Sequence, residues 1–126
     1  MNAQNEVVFK RPWAEVPAPR GSHSATLIGN FLYIFGGYGG AGYARRDFND
    51  LISLDLSTWA WKPVESVSSE LPQPRSGHQG VAVQHKIYIM GGWNAMEQFN
   101  NLFVFDTITK VWTKHNGTSD FGPPRW

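Results

Sequence analysis

The chain has 126 residues, 41% of them hydrophobic, and eleven Lys and Arg against ten Asp and Glu, material for about one small globular domain. A net charge of +1 excludes a charge-driven disordered tail and predicts neither nucleic acid nor an anionic membrane as partner. Cys is absent, which rules out disulfides, thiolate nucleophiles and Cys-ligated zinc.

No apolar run approaches the length of a membrane span, and Met1-Asn2-Ala3-Gln4-Asn5-Glu6 is too polar for a signal peptide, so a cytoplasmic protein is expected. Thirteen Gly, eight Pro and 14% aromatic residues describe many short strands joined by turns. An all-β chain follows.

In chain order, Val7-Val8-Phe9 and Trp13-Ala14-Glu15-Val16 read as strand material ahead of the first full unit. Pro17-Ala18-Pro19-Arg20 then opens a turn and returns 55 residues later as Pro72-Gln73-Pro74-Arg75. The same offset relates His23 to His78, and Phe31-Leu32-Tyr33-Ile34-Phe35-Gly36-Gly37 to Lys86-Ile87-Tyr88-Ile89-Met90-Gly91-Gly92. Each of these apolar runs is too short for a usual helix and suits a strand covered on both faces, and its glycines allow a sharp exit through positive φ or close backbone approach.

Past the double glycine the offset falls to 51, in Phe48-Asn49-Asp50 against Phe99-Asn100-Asn101 and in Trp61 against Trp112. The first loop is therefore four residues longer than the second. Four strands per unit are predicted, near Ser24–Ile28, Phe31–Phe35, Leu51–Leu54 and Trp59–Val64, and again near Gly80–Val83, Lys86–Met90, Leu102–Phe105 and Lys110–Lys114. Gly29-Asn30 and Gln84-His85 fit two-residue hairpins, and Asp55-Leu56-Ser57-Thr58 and Asp106-Thr107-Ile108-Thr109 fit turns closed by Asp and Thr side chains.

Pro-x-x-Arg, His, an apolar strand with Gly-Gly, Asn-Asp/Asn-Leu, then Asp-x-x-Thr and Trp, at a period near 50, resembles the kelch repeat, whose units are four-stranded blades of a β-propeller. Leu54 and Phe105 stand where the family often has Tyr, and Arg20-Gly21-Ser22-His23 and Arg75-Ser76-Gly77-His78 exchange the order of Gly and Ser. The resemblance implies a leading segment over 1–19 with a ring-closing strand, repeats at 20–71 and 72–121, and the start of a third repeat at 122–126. Because two blades cannot close a ring of six or so, it implies part of a larger propeller, completed by further blades in cis or in trans. It also predicts that Trp61 and Trp112 pack alike on the outermost strands.

Gly37-Tyr38-Gly39-Gly40-Ala41-Gly42 fits the dinucleotide-binding pattern, but Tyr43-Ala44-Arg45-Arg46-Asp47-Phe48 supplies no helix to receive a pyrophosphate, so a loop is expected. His23 and His78 are expected to bond their own blade's backbone, and His85 and His115 to be solvated. Galactose oxidase is a kelch-propeller enzyme, but its tyrosine–cysteine cofactor needs Cys; the closely spaced Glu, Asp and His iron set of plant specifier proteins has no counterpart here. No Ser-His-Asp order is evident, and Asn116-Gly117-Thr118 matters as a glycosylation sequon only in a secreted chain. No catalytic residue, metal site or cofactor is expected.

The resemblance implies instead a non-catalytic protein-interaction scaffold or adaptor of the cytoplasm, cytoskeleton or cilium, with an enzyme or substrate-binding domain active through residues beyond Trp126 as the alternative. By position in the family, candidate protein-binding residues are Arg20, Tyr38, Arg75, Ser76 and Trp93, with Tyr43, Arg45 and Arg46 from the longer loop and Asn94 and Met96, beside Glu97 and Gln98, from the shorter. Aromatic and Arg side chains are those most enriched at dominant contact points.

Overall fold

The computed structural model describes residues 18–40 and 42–115, so the strand expected at 13–16, the sequon at 116–118 and the third-repeat start at 122–126 lie outside the described residues. The first half contains β1 (Arg20–Gly21), β2 (Ser24–Ile28), β3 (Phe31–Phe35), β4 (Tyr38–Gly39), a 3₁₀ turn at Gly42–Ala44, β5 (Arg46–Asp47), β6 (Leu51–Asp55) and β7 (Ala60–Pro63). The second contains β8 (Gln79–Val83), β9 (Lys86–Met90), β10 (Leu102–Asp106) and β11 (Val111–His115).

Two antiparallel four-stranded blades result, β2-β3-β6-β7 and β8-β9-β10-β11, together with a small sheet β1-β4-β5 at the double-glycine end of the first. The second blade replaces that small sheet with two isolated bridges, Ser76 to Trp93 and Trp93 to Gln98. Leu51–Val64 and Leu102–Lys114 contain no helix, as the repeat requires.

Backbone conformation repeats as faithfully as sequence does. Positive φ occurs at Ser22 and Gly77, at Gly29 and Gln84, at Gly36 and Gly91, at Gly37 and Gly92, and at Trp59 and Lys110, so both blades turn at matching places. Gly36, at φ 68°, also lies against the neighbouring blade: a Cβ there would sit 2.7 Å from His78 Cε1 and 2.9 Å from the Arg75 carbonyl oxygen. Glycine is required both for its conformation and for the closeness of the second blade. The Asp turns form as expected, with Asp55 Oδ1 accepting the Ser57 N–H at 2.9 Å and Asp106 Oδ1 accepting those of Ile108 and Thr109 at 2.9 and 3.1 Å.

The two blades stack face to face. Period-2 alternation along the strands sends Tyr33, Phe35 and Leu51 from the first blade and Ile87, Ile89, Phe103, Phe105 and Trp112 from the second into one buried core. Burying a side chain such as Phe35 or Phe105 contributes roughly 2–3 kcal/mol. The innermost strands of the two blades approach closely where Gly80 leaves room, since a Cβ there would lie 2.8 Å from Ser24 Cβ. Backbone bonds cross the seam too: Gly37 N–H to Arg75 O at 2.8 Å, Arg75 N–H to Phe48 O at 3.1 Å and Gly77 N–H to Ser22 O at 2.9 Å.

Trp61 and Trp112 do occupy equivalent register positions, paired across from Leu54 and Phe105. Their packing is not alike, which corrects the expectation. Trp112 is buried against Phe35 and Phe105, with ring centroids 5.3 and 5.0 Å away, because its blade face meets the first blade. Trp61 is half-buried, on the face of the first blade turned away from the second. Ile34, Ile52 and Leu54 on that same face are buried, whereas the second blade's far face leaves Val81 and Val83 about half exposed, at 47% and 52%.

Candidate functional site

The double-glycine end of each blade is built around a guanidinium. Arg20 Nη1 donates to the Gly36 carbonyl at 3.1 Å, and Arg75 Nη1 to the Gly91 carbonyl at 3.0 Å. Nε of each donates two residues back, to Ala18 O at 3.3 Å and to Gln73 O at 3.1 Å. Both groups lie over a ring from the Phe-Asn-Asp/Asn element, Phe48 at 4.0 Å and Phe99 at 4.1 Å. One position differs: Asp50 takes Arg20 through two bonds of 2.6 and 3.1 Å, whereas Asn101 offers Arg75 one acceptor at 2.9 Å.

These contacts correct the expectation that Arg20 and Arg75 are partner-binding residues. The Arg20 side chain is only 5% exposed and Arg75 is wholly buried. They are framework, holding the strand exit in place. Burial pushes the Arg75 guanidinium down to about 10, against the opposing pull of Glu97. Ser76 is also buried, its backbone bridged to Trp93 through two 2.9 Å bonds, and it too leaves the contact surface. Trp93 lays its indole where a Gly77 Cβ would be, 2.1 Å from that position, and is half-buried over Gly77. The Gly–Ser exchange between repeats now has a reason. Gly77 must admit Trp93, while Ser22 at the matching site is exposed.

His78 bridges the blades instead of bonding its own, a second correction. Its Nε2 is 3.0 Å from the Phe35 carbonyl oxygen and 3.1 Å from Ser24 Oγ, both on the first blade. A carbonyl only accepts, so Nε2 carries the proton. Burial, reinforced by the charges of Arg75 and His23 and opposed by the Phe35 bond, pushes His78 down to about 4. His23 occupies the equivalent place on the first blade and is exposed. His85 is not merely solvated: its Nε2 lies 3.3 Å from Asp106 Oδ2. His115 is exposed at the end of β11.

The remaining candidates lie on the two loops. Tyr43 is fully exposed, Met96 is 88% exposed and Tyr38 is 42% exposed. The Arg45 guanidinium lies over the Tyr38 ring at 5.3 Å, and that of Arg46 over Phe48 at 4.5 Å. Both arginines are exposed. Asn94 forms its loop, its Oδ1 accepting the Met96 and Glu97 N–H groups at 2.8 and 3.0 Å. Among its described residues the glycine-rich stretch supplies the strand Tyr38–Gly39 and one 3₁₀ turn, with no helix end there for a pyrophosphate. Among the described residues no three of His, Cys, Asp and Glu come together as metal ligands, and no helix is long and apolar enough to cross a membrane. Phe48, Asp50, Phe99 and Asn101 were legible only as repeat landmarks; their recurrence at 51 beside a recurring Arg is the signal for the guanidinium network.

Tandem four-stranded antiparallel blades, each with a double-glycine exit clamped by a buried Arg, define a β-propeller repeat array. The chain belongs to the kelch-repeat family: residues 2–126 match the KLHDC2/KLHL20/DRC7 Kelch-repeats domain. It is similar to Acyl-CoA-binding domain-containing protein 5 of Arabidopsis thaliana, at 37% identity over 91% of this chain and 17% of that protein. It also resembles the Dynein alpha chain, flagellar outer arm, of Chlamydomonas reinhardtii, at 36% identity over 79% of this chain and 2% of that one. The N-(sulfonatooxy)prop-2-enimidothioate sulfolyase of Thlaspi arvense is 37% identical over 78% of this chain and 28% of that enzyme. The chain thus spans between 2% and 28% of the length of these relatives.

Proposed function

We propose that this chain is part of a non-catalytic protein-interaction scaffold, in which the double-glycine end carries the partner. One observation supports the reading. At that end the repeated Arg20 and Arg75, and Ser76 beside the second, are used up inside the fold, while the side chains peculiar to each loop, Tyr43, Arg45, Arg46 and Met96, stand exposed. Exposed aromatic, Arg and Met groups on a rigid frame have the composition of an interface core. Similarity to a flagellar dynein chain supports a cytoskeletal or ciliary setting.

The test replaces Tyr43, Arg45, Arg46 and Met96 together by Ala in the intact protein and compares the proteins captured from cells with those held by the parent. Stability should change by less than about 0.5 kcal/mol per site, since these loop positions are exposed. Partner capture should fall by tenfold or more, as expected when anchors worth about 2 kcal/mol are truncated. A variant that folds normally and captures the same proteins equally well places the partner on another surface. A second reading, an enzyme active through residues beyond Trp126, is favoured by the sulfolyase relative. Turnover of N-(sulfonatooxy)prop-2-enimidothioate by the intact protein would establish it.

A further inference from the structure

The four-residue excess of the first loop is not neutral padding. Four described arginines exist, of which Arg20 is spent on Asp50 and the Gly36 carbonyl, and Arg75 on the second blade's framework. The other two, Arg45 and Arg46, both belong to the longer loop, and neither makes an ion pair with any described carboxylate.

Their placement is nevertheless defined. Arg46 pairs across from Gly39 and Asp47 across from Tyr38, as the edge strand of the small sheet, whose middle strand, Tyr38–Gly39, is held in turn by Arg20 and Gly21. Each guanidinium rests over a ring, Tyr38 for Arg45 and Phe48 for Arg46, and Arg46 spends one donor on the Ala44 carbonyl at 3.3 Å. A ring fixes the plane of a guanidinium while leaving its edge N–H groups able to fork onto a carboxylate. The acids nearby are Asp47, half-buried on the Tyr38 side, and Asp50, already held by Arg20. Tyr43, fully exposed between the glycines and the arginines, adds an aromatic anchor.

Resting on the scaffold reading above and refining it, we propose that Tyr38, Tyr43, Arg45 and Arg46 dock an acidic segment of a partner protein, with Arg45 and Arg46 forking onto its carboxylates and Tyr43 packing on an adjacent apolar side chain. Positive charge alone would also suit a nucleic acid, but phosphate recognition along a backbone draws on a broad basic surface, and the chain as a whole carries only +1.

Fluorescence anisotropy on the intact protein decides it, using labelled peptides of equal length that alternate Leu with Glu, with Ser or with Lys, and a single-stranded oligonucleotide. The Glu peptide should bind about tenfold or more tightly than the Ser peptide at low salt, and this preference should vanish in R45Q/R46Q. R45K/R46K should retain only part of it, because an ammonium cannot fork. Equal binding of the Glu and Ser peptides, a preference that survives R45Q/R46Q, or an oligonucleotide that outcompetes the Glu peptide overturns the proposal. Unchanged denaturant midpoints confirm that both variants fold. Should Y43A/M96A abolish capture of a cellular partner while R45Q/R46Q leaves it intact, the scaffold reading stands and the acidic partner falls.

Discussion

The two blades run one design with a different electrostatic ending. In the first, the buried guanidinium of Arg20 meets a carboxylate, Asp50, through both terminal nitrogens. In the second, Asn101 stands in the carboxylate's place, and Arg75 Nη2 has no hydrogen-bond partner among the described residues although the side chain is wholly buried. The bonds from Arg20 and Arg75 to the double-glycine carbonyls differ by only 0.1 Å, at 3.1 and 3.0 Å. Geometry at the strand exit is therefore set by the Arg–carbonyl bond and the ring beneath it, while the acid tunes the energy. A buried cation without a matched counter-ion loses solvation that nothing fully repays; the second exit holds because Phe99 and Phe103 lie 4.1 and 5.5 Å from its guanidinium and Glu97 acts on it from the loop.

The comparison breaks most completely at Gly36. G36V combines a β-branched residue at φ 68° with a Cβ 2.7 Å from His78, and should cost more than about 3 kcal/mol, measured by urea unfolding. The same change at Gly29, also at positive φ but with nothing within 4 Å, should cost clearly less. Equal losses at both sites would mean that conformation alone, and not the seam, requires glycine at Gly36.

Next in size is acid. His78 is held at about 4 in the folded chain against an ordinary 6.5, so between those values the unfolded state binds the extra proton. Stability is then full above pH 6.5 and falls as pH drops towards 4, by about 3 kcal/mol from this residue. The curve of unfolding free energy against pH should flatten in that window in H78Q.

A smaller effect sharpens the contrast between the two guanidinium sites. N101D gives Arg75 the bidentate partner that Arg20 already has, and should stabilise the fold at neutral pH by about 1 kcal/mol; D50N should destabilise it by a similar amount. Denaturant midpoints of the two variants would therefore move in opposite directions. A fall in both would show that the second site is fitted to an amide for reasons of packing.

Strand positions, hairpins, Asp turns and the double-glycine exits were legible in the chain because each depends on neighbours a few residues away, and the repeat at 55 and 51 displayed every signal twice. Which repeated side chains remained available was not legible. Arg20, Arg75, Ser76 and His78 carry the residue types of a contact surface, yet the first three close the framework and the last crosses to the other blade. Trp61 and Trp112 occupy the same register and differ in burial, because only Trp112 lies on a face covered by the neighbouring blade. Sequence alone determined the blade, since a strand's alternation and a turn's φ are local properties. Tertiary structure decided which face each blade covers, because burial and pairing belong to two sheets at once and are encoded in neither of them singly.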